Sequence, residues 1–131
     1  IMASILRVNT LTDASSNNSV ATSVVFNGTT KAWVHFDQTD QSMYDNYNIG
    51  SITDKAVGET TFTFTSNMSA ANWSASFYAN TSGSSGDGQF GASMSGNIGL
   101  RTATGFIFEG YNGSSMIDSK HCDTQVFGDL A

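Results

Sequence analysis

The chain has 131 residues, with 5 Lys and Arg against 11 Asp and Glu and a formal charge of -6. That length suits one domain able to bury a core without disulfides, and the negative balance disfavours nucleic acid or an anionic membrane surface as partner. Only 12% of residues are charged; the polarity comes from Ser, Thr, Asn and Gly, and proline is absent, a mixture that favours strands and turns over helices.

A single cysteine, Cys122, excludes an intramolecular disulfide, and without Cys-x-x-Cys halves there is no zinc motif. No basic segment followed by an apolar run opens the chain, and no apolar stretch is long enough to span a bilayer. Met2-Ala3-Ser4 reads as a translation start, so a soluble, unprocessed product is expected.

In chain order, Ser4 to Thr12 reads as a first strand carrying apolar residues on both faces, which either lies between two layers or packs against a neighbouring subunit, with residues 4–26 as the candidate segment for packing between subunits. After a turn cluster at Asp13 to Ser19, Val20 to Phe26 is predicted as a second strand ended by Asn27-Gly28, a type I′ turn pair. Lys31 to Asp37 then alternates strictly, with Ala32, Val34 and Phe36 inward and Trp33 and His35 outward. Asp40 to Asn48 reads as a polar turn region, Ile49 to Ile52 as a short strand, and Thr53 to Gly58 as a loop closed by Gly58. Thr60 to Thr65 alternates again around Phe62 and Phe64.

Beyond a loop at Asn67 to Ala71, Asn72 to Ala79 places Trp73, Ala75, Phe77 and Ala79 on one face. Asn80 to Gly88 is small and glycine-rich and predicts an exposed loop. Gln89 to Ser95 groups Phe90, Ala92 and Met94, and Ile98 to Thr104 and Gly105 to Gly110 follow as two strands or one bent one, with Phe106 and Phe108 inward and Gly96, Gly99 and Gly105 permitting the bend. Asn112-Gly113 marks another turn, and His121 to Phe127 is the last strand. The sum is an all-β fold: one antiparallel β-sandwich or jelly-roll-like domain over residues 1–131, of about eight or nine short strands and with no helix of three turns. Its core is expected at Ala32, Val34, Phe36, Phe62, Phe64, Trp73, Phe77, Phe106 and Phe108.

Candidate chemistry is sparse. His121-Cys122-Asp123 brings three reactive types together, but neighbouring strand residues point to opposite faces and cannot form one catalytic constellation. Asp37, Asp40 and Asp45 offer hard oxygen ligands of the kind calcium takes; lacking the glycine and terminal glutamate of a calcium loop, they read better as a solvated turn. His35 beside Trp33 suits a ligand-binding aromatic less well than a subunit contact. The acids are spread singly over turns, so no carboxylate pair for glycoside hydrolysis is visible, and no catalytic residue, cofactor or metal is expected. The Asn-x-Ser/Thr triplets follow from composition alone.

Ile5-Leu6-Arg7-Val8-Asn9-Thr10-Leu11-Thr12-Asp13, Asn17-Asn18-Ser19-Val20, Val25-Phe26-Asn27-Gly28-Thr29 and Lys31-Ala32-Trp33-Val34-His35-Phe36 occur in an order that resembles a module of short structural proteins from marine tailed bacteriophages. The likeness continues through Asn48-Ile49-Gly50-Ser51-Ile52-Thr53-Asp54, Thr61 to Phe64 and Met68-Ser69-Ala70-Ala71-Asn72-Trp73, and returns at Phe127-Gly128-Asp129-Leu130-Ala131. Trp73 stands where the family usually has Tyr, Asp37 to Gln41 replaces a Gly/Thr-rich segment, and Asn80 to Lys120 is much less matched.

The resemblance implies a non-enzymatic virion protein exposed on the particle, either a tail-fibre-associated or receptor-binding module or, as the alternative, a capsid decoration protein; a carbohydrate-active enzyme ranks third. It also implies partners among other virion proteins and self-association as a homotrimer, with Ile5, Leu11, Trp33 and Tyr78 as candidate contact residues. For a receptor such as a host surface glycan, the candidate ligand-facing loop residues are Asp37, Asp40, Asp45, Asn80, Asp87, Tyr111 and Asn112.

Overall fold

A computed structural model describes residues 8–15, 18–80, 92–94 (as backbone), 101–111 and 115–131. The elements are β1 (Thr10–Thr12), β2 (Ser19–Ala21), α1 (Thr22–Gly28), β3 (Thr30–Asp37), β4 (Ser42–Tyr47), β5 (Ile49–Ala56), β6 (Glu59–Phe64), β7 (Ser74–Asn80), β8 (Ala92–Met94), β9 (Gly105–Gly110) and β10 (His121–Phe127). Eight of the strands build two four-stranded antiparallel sheets, ordered β4-β3-β10-β7 and β5-β6-β9-β8, while β1 and β2 pair separately as a hairpin.

The alternation in β3, β6 and β10 fixes which side of each sheet faces in. Ala32, Val34 and Phe36 are buried on β3, Phe62 and Phe64 on β6, and Cys122, Thr124 and Val126 on β10. The sheets meet through aromatic edges: Phe36 stands edge-on to Phe62 at 4.7 Å and to Phe108 at 5.0 Å, and Trp73 packs edge-on to Phe64 and Phe106, each at 5.7 Å. Every residue of the expected core is buried except Phe77, which is partly buried and packs against the rest. Met68 joins them through an isolated bridge to Leu130, a pairing no local pattern announces.

Val20 to Phe26 is a strand only over Val20 and Ala21. β2 stops at Ala21 and α1 takes the chain to Gly28. No sheet edge is offered to this segment, so its backbone closes hydrogen bonds locally, ending with the Thr29 N–H donating to the Val25 carbonyl at 3.0 Å. Asn27-Gly28 therefore ends a helix rather than making a hairpin, and β3 pairs with β4 and β10 instead of β2.

Asp40 to Asn48 contains a strand, β4, because β3 presents an open edge and Met43 turns inward opposite Phe36 across a bulge. Left-handed residues bracket it, Gln41 at φ 56° and Asn48 at φ 58°. The Asn48 side-chain amide donates to the Lys31 and Ser66 carbonyls, 3.0 Å each, while its oxygen accepts from the Ser66 N–H, which clamps the corner. Thr53 to Ala56 extends β5, so the predicted loop shrinks to a turn at Val57-Gly58, with Gly58 at φ +76°. The expected bend at Gly96 and Gly99 lies outside the described residues.

At one end of the sandwich the two sheets are tied by a buried amide. Gln38 Nε2 donates to the Thr60 hydroxyl at 3.2 Å, its Oε1 accepts the Ser119 N–H at 3.1 Å, and its own N–H donates to the Ser119 carbonyl at 2.9 Å. Such a group is tolerated inside because its hydrogen-bonding atoms are engaged.

Candidate binding face

The outer side of the β4-β3-β10-β7 sheet is the most chemically concentrated surface among the described residues. Register sets it out in two rows. Trp33 lies opposite Tyr47 on one side and Gln125 on the other, and Gln125 opposite Ser76; one step along, His35 lies between Asp45 and Asp123, and Asp123 opposite Tyr78. Directly opposed residues share a face. Because Val34, Thr124 and Val126 between them are buried, these rows point to solvent.

The β4 bulge adds Tyr44, whose ring centroid is 4.8 Å from that of His35 and 6.4 Å from that of His121, stacked on the latter. Its hydroxyl donates to Asp37 Oδ2 at 3.1 Å. Tyr44, Tyr47 and Tyr78 are each about half exposed, and a shallow depression lined by Ser76, Phe77, Tyr78, Asp123, Thr124 and Gln125 continues the surface toward β7.

Asp37 is 2% exposed, so it is a buried anchor rather than a ligand-facing loop residue. Burial pushes its carboxyl upward, but the Thr39 hydroxyl and N–H, the Tyr44 hydroxyl and the Lys120 charge together hold it below its ordinary value. In the same contact, partial desolvation and the Asp37 carboxylate raise the Tyr44 phenol. Asp40 accepts the Ser42 N–H at 3.0 Å in a local turn, and Asp45 accepts the N–H of Asn46 at 2.8 Å. The three aspartates serve separate local structures, and among the described residues no group of three or more His, Cys, Asp or Glu side chains could hold a metal.

His121 and Asp123 face outward while Cys122 enters the core, its thiol pushed up to about 12 by burial and then by the Asp37 and Asp123 charges. The Asn80 carbonyl accepts the Lys120 N–H at 3.1 Å, and the Tyr111 hydroxyl donates to Glu109 at 3.1 Å. Asp37, Asn80 and Tyr111 thus collect at the end closed by Gln38 and Ser119. Asp87, Asn112 and Ile5 lie outside the described residues.

Of the expected subunit contacts, Trp33 and Tyr78 share the outer face, whereas Leu11 belongs to a different surface, the exposed hairpin β1-β2. That hairpin and α1 form an N-terminal arm with no buried residue in its helix; Val24 is 59% and Phe26 65% exposed. The Phe26 carbonyl accepts from the Lys31 ammonium, which joins the arm to β3.

Sequence reasoning missed Tyr44 and Tyr47, since β4 was not predicted. The outward alternation of His121, Asp123 and Gln125 was the available signal for β10. It also missed that Glu59 and Glu109 oppose each other across β6 and β9, a juxtaposition made by ladder register alone. Glu59 is ion-paired to Lys55, and Glu109 is buried beneath the Tyr111 contact. No helix among the described residues is long and apolar enough to cross a membrane. Comparison with family models, with curated proteins and with solved structures yields no match.

Proposed function

We propose that this chain is a non-enzymatic structural protein of a tailed-phage particle, a tail-fibre-associated or receptor-binding module that works by presenting a rigid surface. The carrying observation is the outer face of the β4-β3-β10-β7 sheet, where the exposed Tyr47 and Tyr78 and the half-buried Trp33 and His35 stand among Asp45, Asp123 and Gln125 on a scaffold held from behind by the aromatic core. Large rings with polar neighbours on a preorganised backbone give contact area at little ordering cost.

The apolar arm supports the second requirement, attachment to a carrier. Leu11, Val20, Val24, Val25 and Phe26 put exposed apolar side chains on one small element, and burying them against another virion protein or further copies of this chain, as a homotrimer, would be favourable at about 25 cal/mol per Å². The same arm favours the second reading, capsid decoration, which needs only an adhesive patch. Glu59 and Glu109 do not carry a hydrolytic reading, because each is already engaged, by Lys55 and by Tyr111.

Gold-labelled antibody against this chain tests the proposal on intact particles. Label at the tail end is the expected result. Label spread over the head replaces it with decoration, and an unlabelled particle removes the virion assignment.

A further inference from the structure

We propose that the outer face of the β4-β3-β10-β7 sheet binds neutral saccharide, along a diagonal from Tyr47 and Trp33 to Tyr78. This rests on the reading of the chain as a binding module and names its ligand class and its site, moving both from the loops to the sheet.

The rings supply the first half of the recognition. A pyranose offers a face of C–H bonds, slightly positive and apolar, that packs on the negative face of an aromatic ring. Trp33 and Tyr78 are separated by two strand spacings across the sheet, about 10 Å, and by two residues along it, about 7 Å, a span that suits a short chain of sugars lying flat. Tyr47 widens the platform beside Trp33.

The second half is hydrogen bonding. Trp33, Tyr47, Tyr78, Asp123 and Gln125 show no side-chain hydrogen bond to the described residues. Trp73 provides the contrast: buried in the core, it donates its indole N–H to the Thr102 carbonyl at 2.9 Å. The outward groups therefore retain donors and acceptors for ligand hydroxyls at the depression beside Asp123 and Gln125.

Two features select this occupant over others. The two rows hold no aliphatic residue, whereas the exposed aliphatic side chains of the N-terminus collect on the arm; a protein partner is served by the arm, and the sheet face has the rings and amide or carboxylate groups that suit polyhydroxylated ligands. The rows also carry Asp45 and Asp123 with no Lys or Arg, on a chain of charge -6, which repels sialylated, sulfated or phosphorylated glycans and leaves uncharged ones.

The full chain, labelled with nitrogen-15, is titrated with hexasaccharides of glucose, mannose, galactose and N-acetylglucosamine, and separately with sialyl-oligosaccharide and a heparin fragment. Saturable amide shifts confined to β4, β3, β10 and β7 are expected with at least one neutral sugar, weakened about tenfold or more in Trp33→Ala and in the surface variant Asp123→Ala, and unchanged in Phe26→Ser. The spectrum of each variant reports its folding, and Asp123→Ala keeps the test open if Trp33→Ala does not fold. Silence with all four neutral sugars, shifts mapping to the arm, or tighter binding of the anionic sugars overturns the assignment. So do face shifts that follow protein concentration alone, which would place a second copy of this chain there. Gold label on the tail with no saccharide response sinks this inference and leaves the module reading intact; saccharide binding with an unlabelled particle does the reverse.

Discussion

Phe64 shows how a single side chain is committed by its neighbours: it is 6% exposed and wedged between Trp73 and Phe106, both at 5.7 Å. Phe64→Ala should cost about 3–5 kcal/mol in urea unfolding, and a loss of about half a kcal/mol would mean a surface position. Cys122 should be inert in the folded protein, since a thiol pushed up to about 12 holds almost no thiolate near neutrality; iodoacetamide labelling at pH 8 is expected only once denaturant opens the core. Asp37 has its folded pKa below the ordinary 3.8, so its contribution to stability is present above that value and is lost as pH falls through the lower folded pKa. The gap in unfolding midpoint between the native chain and Asp37→Asn should therefore be full at pH 7 and close in strong acid; a gap independent of pH contradicts the assignment.

At the scale of elements, β9 lies against β6 so closely that a Cβ on Gly105 would sit 2.1 Å from the Phe62 carbonyl oxygen. Gly105→Ala must push two central strands apart, and a loss of about 1–3 kcal/mol or more is expected in urea unfolding. The arm behaves oppositely. Its apolar side chains rest on no core, so Val24→Ser and Phe26→Ser should leave the unfolding midpoint within about half a kcal/mol while weakening self-association; a large drop in stability would show the arm to be packed on the sandwich. The helix in that arm was not legible in sequence, because Val20 to Phe26 is rich in strand formers and only the lack of a neighbouring edge turned it helical.

For the molecule as a whole, the inner faces of the two sheets hold the aromatic core, and the outer face of the β4-β3-β10-β7 sheet carries Trp33, Tyr47 and Tyr78. A homotrimer assembled through the arm is expected in sedimentation at micromolar concentration, with the double variant Val24→Ser/Phe26→Ser shifted toward monomer. A monomeric native chain would leave the arm for a different protein.

Sequence by itself determined the all-β class, the inward faces of β3, β6 and β7, and the aromatic positions of the core, because period-2 burial is written locally, one residue after another. The outward alternation of Trp33 and His35, and of His121, Asp123 and Gln125, was also legible there. Which strands neighbour which was not. The pairing of β3 with β10, far apart in the chain, is what lays Trp33 beside Gln125 and His35 beside Asp123, and that of β10 with β7 brings up Tyr78. The same long-range choice made a strand of Ser42–Tyr47 and a helix of Thr22–Gly28, since a short segment takes whichever conformation its available neighbour can satisfy with hydrogen bonds.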